Sequence, residues 1–155
     1  MLAAVMRPAA RPAPQLNFCR FVCTGLVLLA IGCGGRPLRA DPATVAALPA
    51  QLVDRLRADP FNYFRFINHE WTARACEIFE ADLPRQPVVQ LHGDAHVEQY
   101  AFTADAWGLD DFDDATRGPA LVDIARFLDS VNLAAERRGW TRDRDRLYDR
   151  FFAGY

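Results

Sequence analysis

Two clusters of side chains in this sequence have the types and the spacing to do chemistry. One is His92-Gly-Asp-Ala-His-Val-Glu-Gln99 and the other is Asp110-Asp-Phe-Asp-Asp114. In the second, four carboxylates fall within five positions. Their mutual repulsion is relieved by solvent, by Arg partners or by a divalent cation. Leu109 and Phe112 interleave the acids, so part of the segment is expected against the core. If the two clusters face each other, Asp94 is placed as a general base that accepts a hydroxyl proton. Gln99 and Asp111 then offer oxygens to Mg²⁺, with Asp113 supporting the metal from nearby. His92 and His96 are expected to orient the loop by hydrogen bonds rather than to react.

The elements that must position these groups are visible as periodicities. Val88–Leu91 is a β-prone run directly before the first cluster, so the polar groups emerge where a rigid element ends. Ala106–Leu109 is a weaker run before the second, and the ends of the two strands are expected to be neighbours. Upstream, the spacing of Val45, Leu48, Leu52, Val53 and Leu56 predicts a short amphipathic helix. Asp59 is expected to cap the next helix, with Pro60 at its first position. Phe61, Phe64, Trp71, Ala75, Ile78 and Phe79 share one stripe of that helix, which is a core pattern. Downstream, Gly118-Pro119 is expected to open a helix that turns Leu121, Ile124, Ala125, Leu128 and Val131 inward and stops at Gly139. Thr141 is expected to cap a last helix carrying Leu147, Tyr148, Phe151 and Phe152. The predicted class is α/β (α+β), mostly helical, with a strand-loop-strand unit carrying both polar clusters.

Composition limits what this unit can serve. Residues are 51% apolar and 25% charged, which suits one globular domain and excludes a disordered or fibrous chain. There are 18 basic and 20 acidic residues, but Arg7, Arg11, Arg20, Arg36 and Arg39 all precede the first acid, Asp41. From Asp41 onward 13 basic residues face 20 acidic ones, a net −7, which argues against nucleic acid as a partner. Every basic residue is Arg, and the absence of lysine excludes Schiff-base chemistry and a Walker lysine.

The N-terminal residues are expected to be a targeting segment. A basic, Pro-rich stretch precedes Phe21–Ile31, eleven residues without a charge, a length that suits a signal-peptide core better than a membrane span. Ala30-Ile-Gly-Cys33 then resembles a bacterial lipoprotein cleavage box. Residues 1–33 are therefore expected to be the export segment, with lipidation at Cys33 and attachment to a membrane. Residues 34–44, with Gly34, Gly35, Pro37 and Pro42, are expected to be a tether, and residues 45–155 the folded body. The alternative is a cytoplasmic protein with a misassigned start. Cys76, among Ala75, Ile78 and Phe79, is expected to be a buried, inert thiol.

The first cluster resembles the catalytic loop H-G-D-x-H-x-x-N of aminoglycoside phosphotransferases and choline kinases. Leu109-Asp-Asp-Phe-Asp-Asp-Ala115 resembles their metal-binding segment, and Gly118-Pro119 with Asp123-Ile-Ala-Arg126 resembles the stretch that follows. From residue 59 to about residue 140 the chain is similar to the bacterial domain-of-unknown-function family 2252, beginning with Asp59-Pro-Phe-Asn-Tyr-Phe-Arg65. The resemblance implies a protein-kinase-like fold, with Asp94 as the catalytic aspartate, Asp111 as the principal metal ligand, and Gln99 in place of the usual asparagine. It implies that Asp123 holds the loop backbone and that Arg126 pairs with a local acid.

Mg²⁺ is the implied cofactor, with ATP only where a nucleotide-binding half exists elsewhere. In the relatives the glycine-rich loop and the nucleotide lysine follow the catalytic segment, and neither occurs by Tyr155. The chain is thus expected to be the catalytic-loop half of such a domain, without independent turnover. Its open edge is expected to favour self-association or a covering partner. Two alternatives stand beside a phosphotransferase. One is a non-catalytic, lipid-anchored module whose acids bind a metal or a basic partner. The other is a metal-dependent phosphoesterase using Asp94 and His96 with help from His69.

Overall fold

The structure is a computed structural model that describes residues 38–155. The expected export segment, Cys33 included, and residues 34–37 of the expected tether lie outside the described residues. Among the described residues no helix is long and apolar enough to cross a membrane.

The first expected helix is two helices, α1 (Pro42–Ala46) and α2 (Ala50–Ala58). Pro49 divides them, because its ring disfavours helical backbone at Leu48 and it has no N–H to donate. Asp41 caps α1 by accepting the Thr44 N–H at 2.9 Å, and the N–H of buried Ala40 donates to the Tyr63 hydroxyl at 2.9 Å. The last residues of the expected tether therefore belong to the fold.

Asp59 caps α3 (Pro60–Phe66) as its position suggests, accepting the Phe61 N–H at 2.9 Å. The helix does not run on unbroken. Ile67 leaves helical geometry at φ −93°, ψ 35°, and α4 (Asn68–Ile78) follows. The apolar stripe nevertheless continues across the bend, with Phe61, Phe64, Trp71, Ala75 and Phe79 all buried. Ile78 departs from the expectation at 43% exposed, because Phe79, one residue on, takes the inward place. Cys76 is a free thiol, half-buried against the core rather than enclosed in it.

Strand pairing differs from the expected neighbours. β1 (Val88–Leu91) pairs antiparallel with β4 (Thr116–Pro119), the residues expected to open a helix, in the register Val88 to Pro119 and Leu91 to Thr116. β2 (Tyr100–Phe102) and β3 (Trp107–Leu109) form their own hairpin, with Tyr100 opposite Leu109 and Phe102 opposite Trp107. Gly118 lies close under Leu91 across this pair, where a Cβ would come 2.8 Å from Leu91 Cδ1. The polar clusters meet all the same. Pairing Leu91 with Thr116 sets the residues after β1 beside those before β4, and the Asp110 N–H donates to Gln99 O at 2.9 Å, one step past the hairpin.

α5 (Leu121–Arg138) is the spine of the molecule and packs against α3, α4 and α6 (Arg144–Gly154). Leu121, Ile124, Ala125 and Leu128 are buried as expected. Gly139 ends α5 in the left-handed region at φ 72°, and the Trp140 N–H bonds back to Ala135 O at 2.7 Å, a glycine-based helix stop. Thr141 is not a cap, because Thr141–Asp143 form a 3₁₀ turn before α6. The fold is mixed α and β, mostly helical, with two small antiparallel ribbons.

The placement of the α4 terminus is testable by urea unfolding. Phe79→Ala should cost about 3–5 kcal/mol through the cavity it leaves. Ile78→Ala should cost less than about 1 kcal/mol, and the reverse order would contradict the packing described.

Candidate functional site

One imidazole joins the two polar clusters. His92 is 3% exposed, and its Nδ1 accepts the Asp94 N–H at 3.3 Å. The proton therefore sits on Nε2, which donates to the Asp110 carbonyl at 2.6 Å. Both ring nitrogens are used in one neutral tautomer, and the ring lies 4.8 Å from that of Phe112. Phe112 is 57% exposed, so it covers His92 rather than entering the core as expected.

The loop after β1 is held from below by α5. Asp123 in the first turn of α5 accepts the His92 N–H at 2.6 Å with Oδ2 and the Gly93 N–H at 3.1 Å with Oδ1. Gly93 has φ +85°, and a Cβ there would lie 2.0 Å from the Asp114 carbonyl oxygen. Glycine is the residue that permits both the backbone angle and the close approach. Asn68, buried at the start of α4, donates from Nδ2 to Gly93 O at 3.0 Å and to Asp114 Oδ2 at 2.7 Å. Sequence reasoning missed Asn68. Its signal was position, since it falls on the buried stripe between Phe64 and Trp71, where a polar residue needs partners.

Asp94 is not a free carboxylate. Its side chain is 16% exposed, and Arg126, from the middle of α5, holds Oδ1 at 2.5 Å. Arg126 is fully buried, donates to the Phe64 carbonyl at 3.3 Å, and lies 4.2 Å over the Phe64 ring. Burial pulls this guanidinium below its usual pKa, and the adjacent Asp94 carboxylate opposes that pull. His96 stands on the other side of Asp94, with Nε2 at 3.5 Å from Oδ2. Its Nδ1 accepts the Glu98 N–H at 3.2 Å, and the ring is enclosed against Phe61. Burial pushes the His96 pKa down to about 4 against the attraction of Asp94, so the ring is neutral at neutral pH. Ser130 on α5 completes the support, accepting the Val97 N–H at 3.0 Å.

On the acidic side, Gln99 is buried and its Nε2 donates to Asp111 Oδ2 at 3.3 Å. Asp111 has φ 58°, a region that Asp enters more readily than branched residues. The structure thus brings Gln99 and Asp111 together. Asp113 is exposed and makes no hydrogen bond or ion pair among the described residues. No group of three or more His, Cys, Asp or Glu side chains among the described residues could hold a metal. His69 therefore joins no cluster with Asp94 and His96, as the phosphoesterase alternative needs. One carboxylate beside one amide fits Mg²⁺, which keeps most of its shell as water and phosphate oxygen. The same pair does not fit a transition metal that prefers imidazole or thiolate.

A second buried acid lies under the site. Asp129 on α5 accepts the Trp71 Nε1–H at 2.9 Å, and burial pushes its pKa up to about 7 against that bond and the nearby Arg126 charge.

Comparison with known proteins places residues 45–155 within the family model described as an uncharacterised protein conserved in bacteria, DUF2252. No curated protein and no solved structure matches the chain.

His96 and Asp129 make opposite contributions to stability over one pH window. The folded pKa of His96 lies below its ordinary 6.5, so its stabilisation is complete above about 6.5 and fades toward about 4. The folded pKa of Asp129 lies above its ordinary 3.8, so its stabilisation is complete below that value and fades as pH rises through about 7. Between pH 4 and 6.5 the two slopes oppose. Asp129→Asn should therefore gain stability relative to wild type on going from pH 4 to 6.5, by up to about 3 kcal/mol at one proton's slope. Urea unfolding at several pH values checks this, and parallel curves for the two proteins would refute it.

Proposed function

Because the chain belongs to this bacterial family, DUF2252, itself uncharacterised, we propose that residues 45–155 carry the acceptor and metal side of a kinase-like, Mg²⁺-dependent phosphotransferase site. The observation that supports this most is the His92 imidazole, bonded at one nitrogen to the Asp94 backbone and at the other to the Asp110 backbone. It sets a candidate base and the neighbour of a candidate metal ligand in one rigid unit.

In this reading Asp94 accepts the acceptor hydroxyl proton through Oδ2, while Arg126 orients the carboxylate by its hold on Oδ1. Most of the catalysis of phosphoryl transfer is positioning and charge neutralisation. Gln99 and Asp111 would hold Mg²⁺, which when bound neutralises charge on the transferring group. His92, Asp123 and Asn68 are positioning residues that keep the loop in place. ATP belongs to the proposal only where a nucleotide-binding half is supplied elsewhere, since no lysine occurs in the 155 residues.

The hold of Arg126 on Asp94 also favours a second reading, binding without turnover, in which the exposed acids from Asp110 to Asp114 take a metal or a basic partner. Variants separate the two. Under phosphotransfer, with the nucleotide-binding half supplied, Asp94→Asn should lower ATP- and Mg²⁺-dependent turnover by about 10²–10⁴-fold, and Asp111→Asn should raise the Mg²⁺ needed. Turnover equal to wild type in Asp94→Asn would sink the first reading. Loss of Mg²⁺ binding in Asp111→Asn, with no turnover in any variant, would favour the second.

Export and lipid attachment through Cys33 are proposed on the uncharged run Phe21–Ile31 and the small residues before Cys33. The intact mass of the protein from its native cells tests this. A mass beginning at lipidated Cys33 would favour binding without turnover, since ATP is not expected outside the cytoplasm. A mass beginning at Met1 would refute processing and favour the ATP-dependent reading.

A further inference from the structure

A cavity of about 340 Å³ opens between α2, α3 and the loop after β1, with Asp94 among its lining residues. That size is within the range of small-molecule sites. Leu52, Leu56 and Phe66 form apolar walls. The remaining lining residues are Arg55, Asn62, Arg65 and Asp94, so two arginines share the cavity with one acid.

The cations stand out against their surroundings. From Asp41 onward the chain carries net −7, yet the approach to Asp94 is lined by Arg55 and Arg65. Asp94 does not need them, because its Oδ1 is already held by Arg126. Arg55 is exposed and has no ion pair or hydrogen bond among the described residues. Arg65 spends one contact on Glu98, from NH1 at 3.0 Å, and a guanidinium has five donors. Glu98 is in turn bonded to Arg137 at 2.8 Å, and Arg137 to Asp59 at 3.3 Å. This chain of ion pairs keeps Arg65 beside the cavity and reduces the ordering cost of binding there.

A neutral alcohol would use Asp94 alone, and a cationic acceptor would be repelled by both arginines. A planar guanidinium matches a carboxylate or a phosphate with two parallel hydrogen bonds. We propose that this cavity binds a small organic anion, an alcohol bearing a carboxylate or a phosphate. The anionic group lies on Arg55 and Arg65, and the hydroxyl is directed to Asp94. The role of the hydroxyl rests on the phosphotransferase reading, whereas the binding of the anion does not.

Calorimetric titration of the full 155-residue chain with glycerol, glycerate and glycerol 3-phosphate at low salt tests the proposal. At least one anion should bind saturably and about tenfold or more tighter than glycerol. The order of the two anions distinguishes carboxylate from phosphate. Arg55→Gln and Arg65→Gln should each weaken the bound anion by about tenfold. Arg57→Gln should leave it unchanged, because Arg57 is exposed on α2 outside the lining. Arg55 has no partner to lose, so its variant keeps the test valid if the Arg65 variant misfolds. Equal binding of glycerol, anion binding indifferent to both lining variants, or no saturable binding of either anion would overturn the proposal. Anion binding without turnover of any acceptor, when the nucleotide-binding half is supplied, would retain the cavity and reject phosphotransfer. Turnover of a neutral alcohol without anion binding would do the reverse.

Discussion

Arg126 is wholly buried in the middle of α5, and a charge in that place is tolerable only if other groups satisfy it. Asp94 supplies the counter-charge at 2.5 Å, the Phe64 carbonyl takes a second bond, and the Phe64 and Trp71 rings lie against the guanidinium at 4.2 and 5.3 Å. Those partners come from α3, α4 and the loop after β1. Removing either ion would leave its partner buried and unpaired, at a cost of about 3–5 kcal/mol. The same contact that packs the helices therefore fixes the position of the candidate base, which couples the core and the site.

Around this pair the loop is held by several short polar joints rather than by apolar area. Asp123 takes two consecutive backbone N–H groups, His92 spans to Asp110, and Asn68 reaches both Gly93 and Asp114. Gly93 also approaches the Asp114 backbone so closely that a Cβ there would clash. The acidic segment is different. Asp110 to Asp114 lie exposed around a core-facing Gln99, so like charges are relieved by solvent while one amide contact orients Asp111. Under the proposed reading, a carboxylate held in place beside a solvated acidic rim suits a cation that arrives with its ligand.

Charge is distributed to the same end. The body is acidic overall, but the cavity in front of Asp94 is lined by two arginines, and Glu98 links one of them through Arg137 to the cap of α3. Local arrangement rather than net charge decides what such a site attracts.

Features set by a few neighbouring residues were legible in the sequence. The cap at Asp59-Pro60, the stop at Gly139 and the stripes of α3, α4 and α5 follow from backbone angles and helical spacing, which act over one or two turns. The residue types in the two clusters also defined what chemistry was on offer. What remained hidden was set by contacts far apart in the chain. β1 pairs with β4 and not with β3, and no local pattern records a strand's partner. Nothing local names the partners of Asn68 and Asp129, which the fold supplies as Gly93, Asp114 and Trp71. The sequence by itself determined the helical stripes, the cap at Asp59, the stop at Gly139 and the inventory of reactive groups, since these depend on short-range sterics and hydrogen bonding. Only the tertiary structure decided that Arg126 closes on Asp94 across 32 residues, that one histidine joins both clusters and that two arginines share the cavity, because each depends on which distant surfaces pack together.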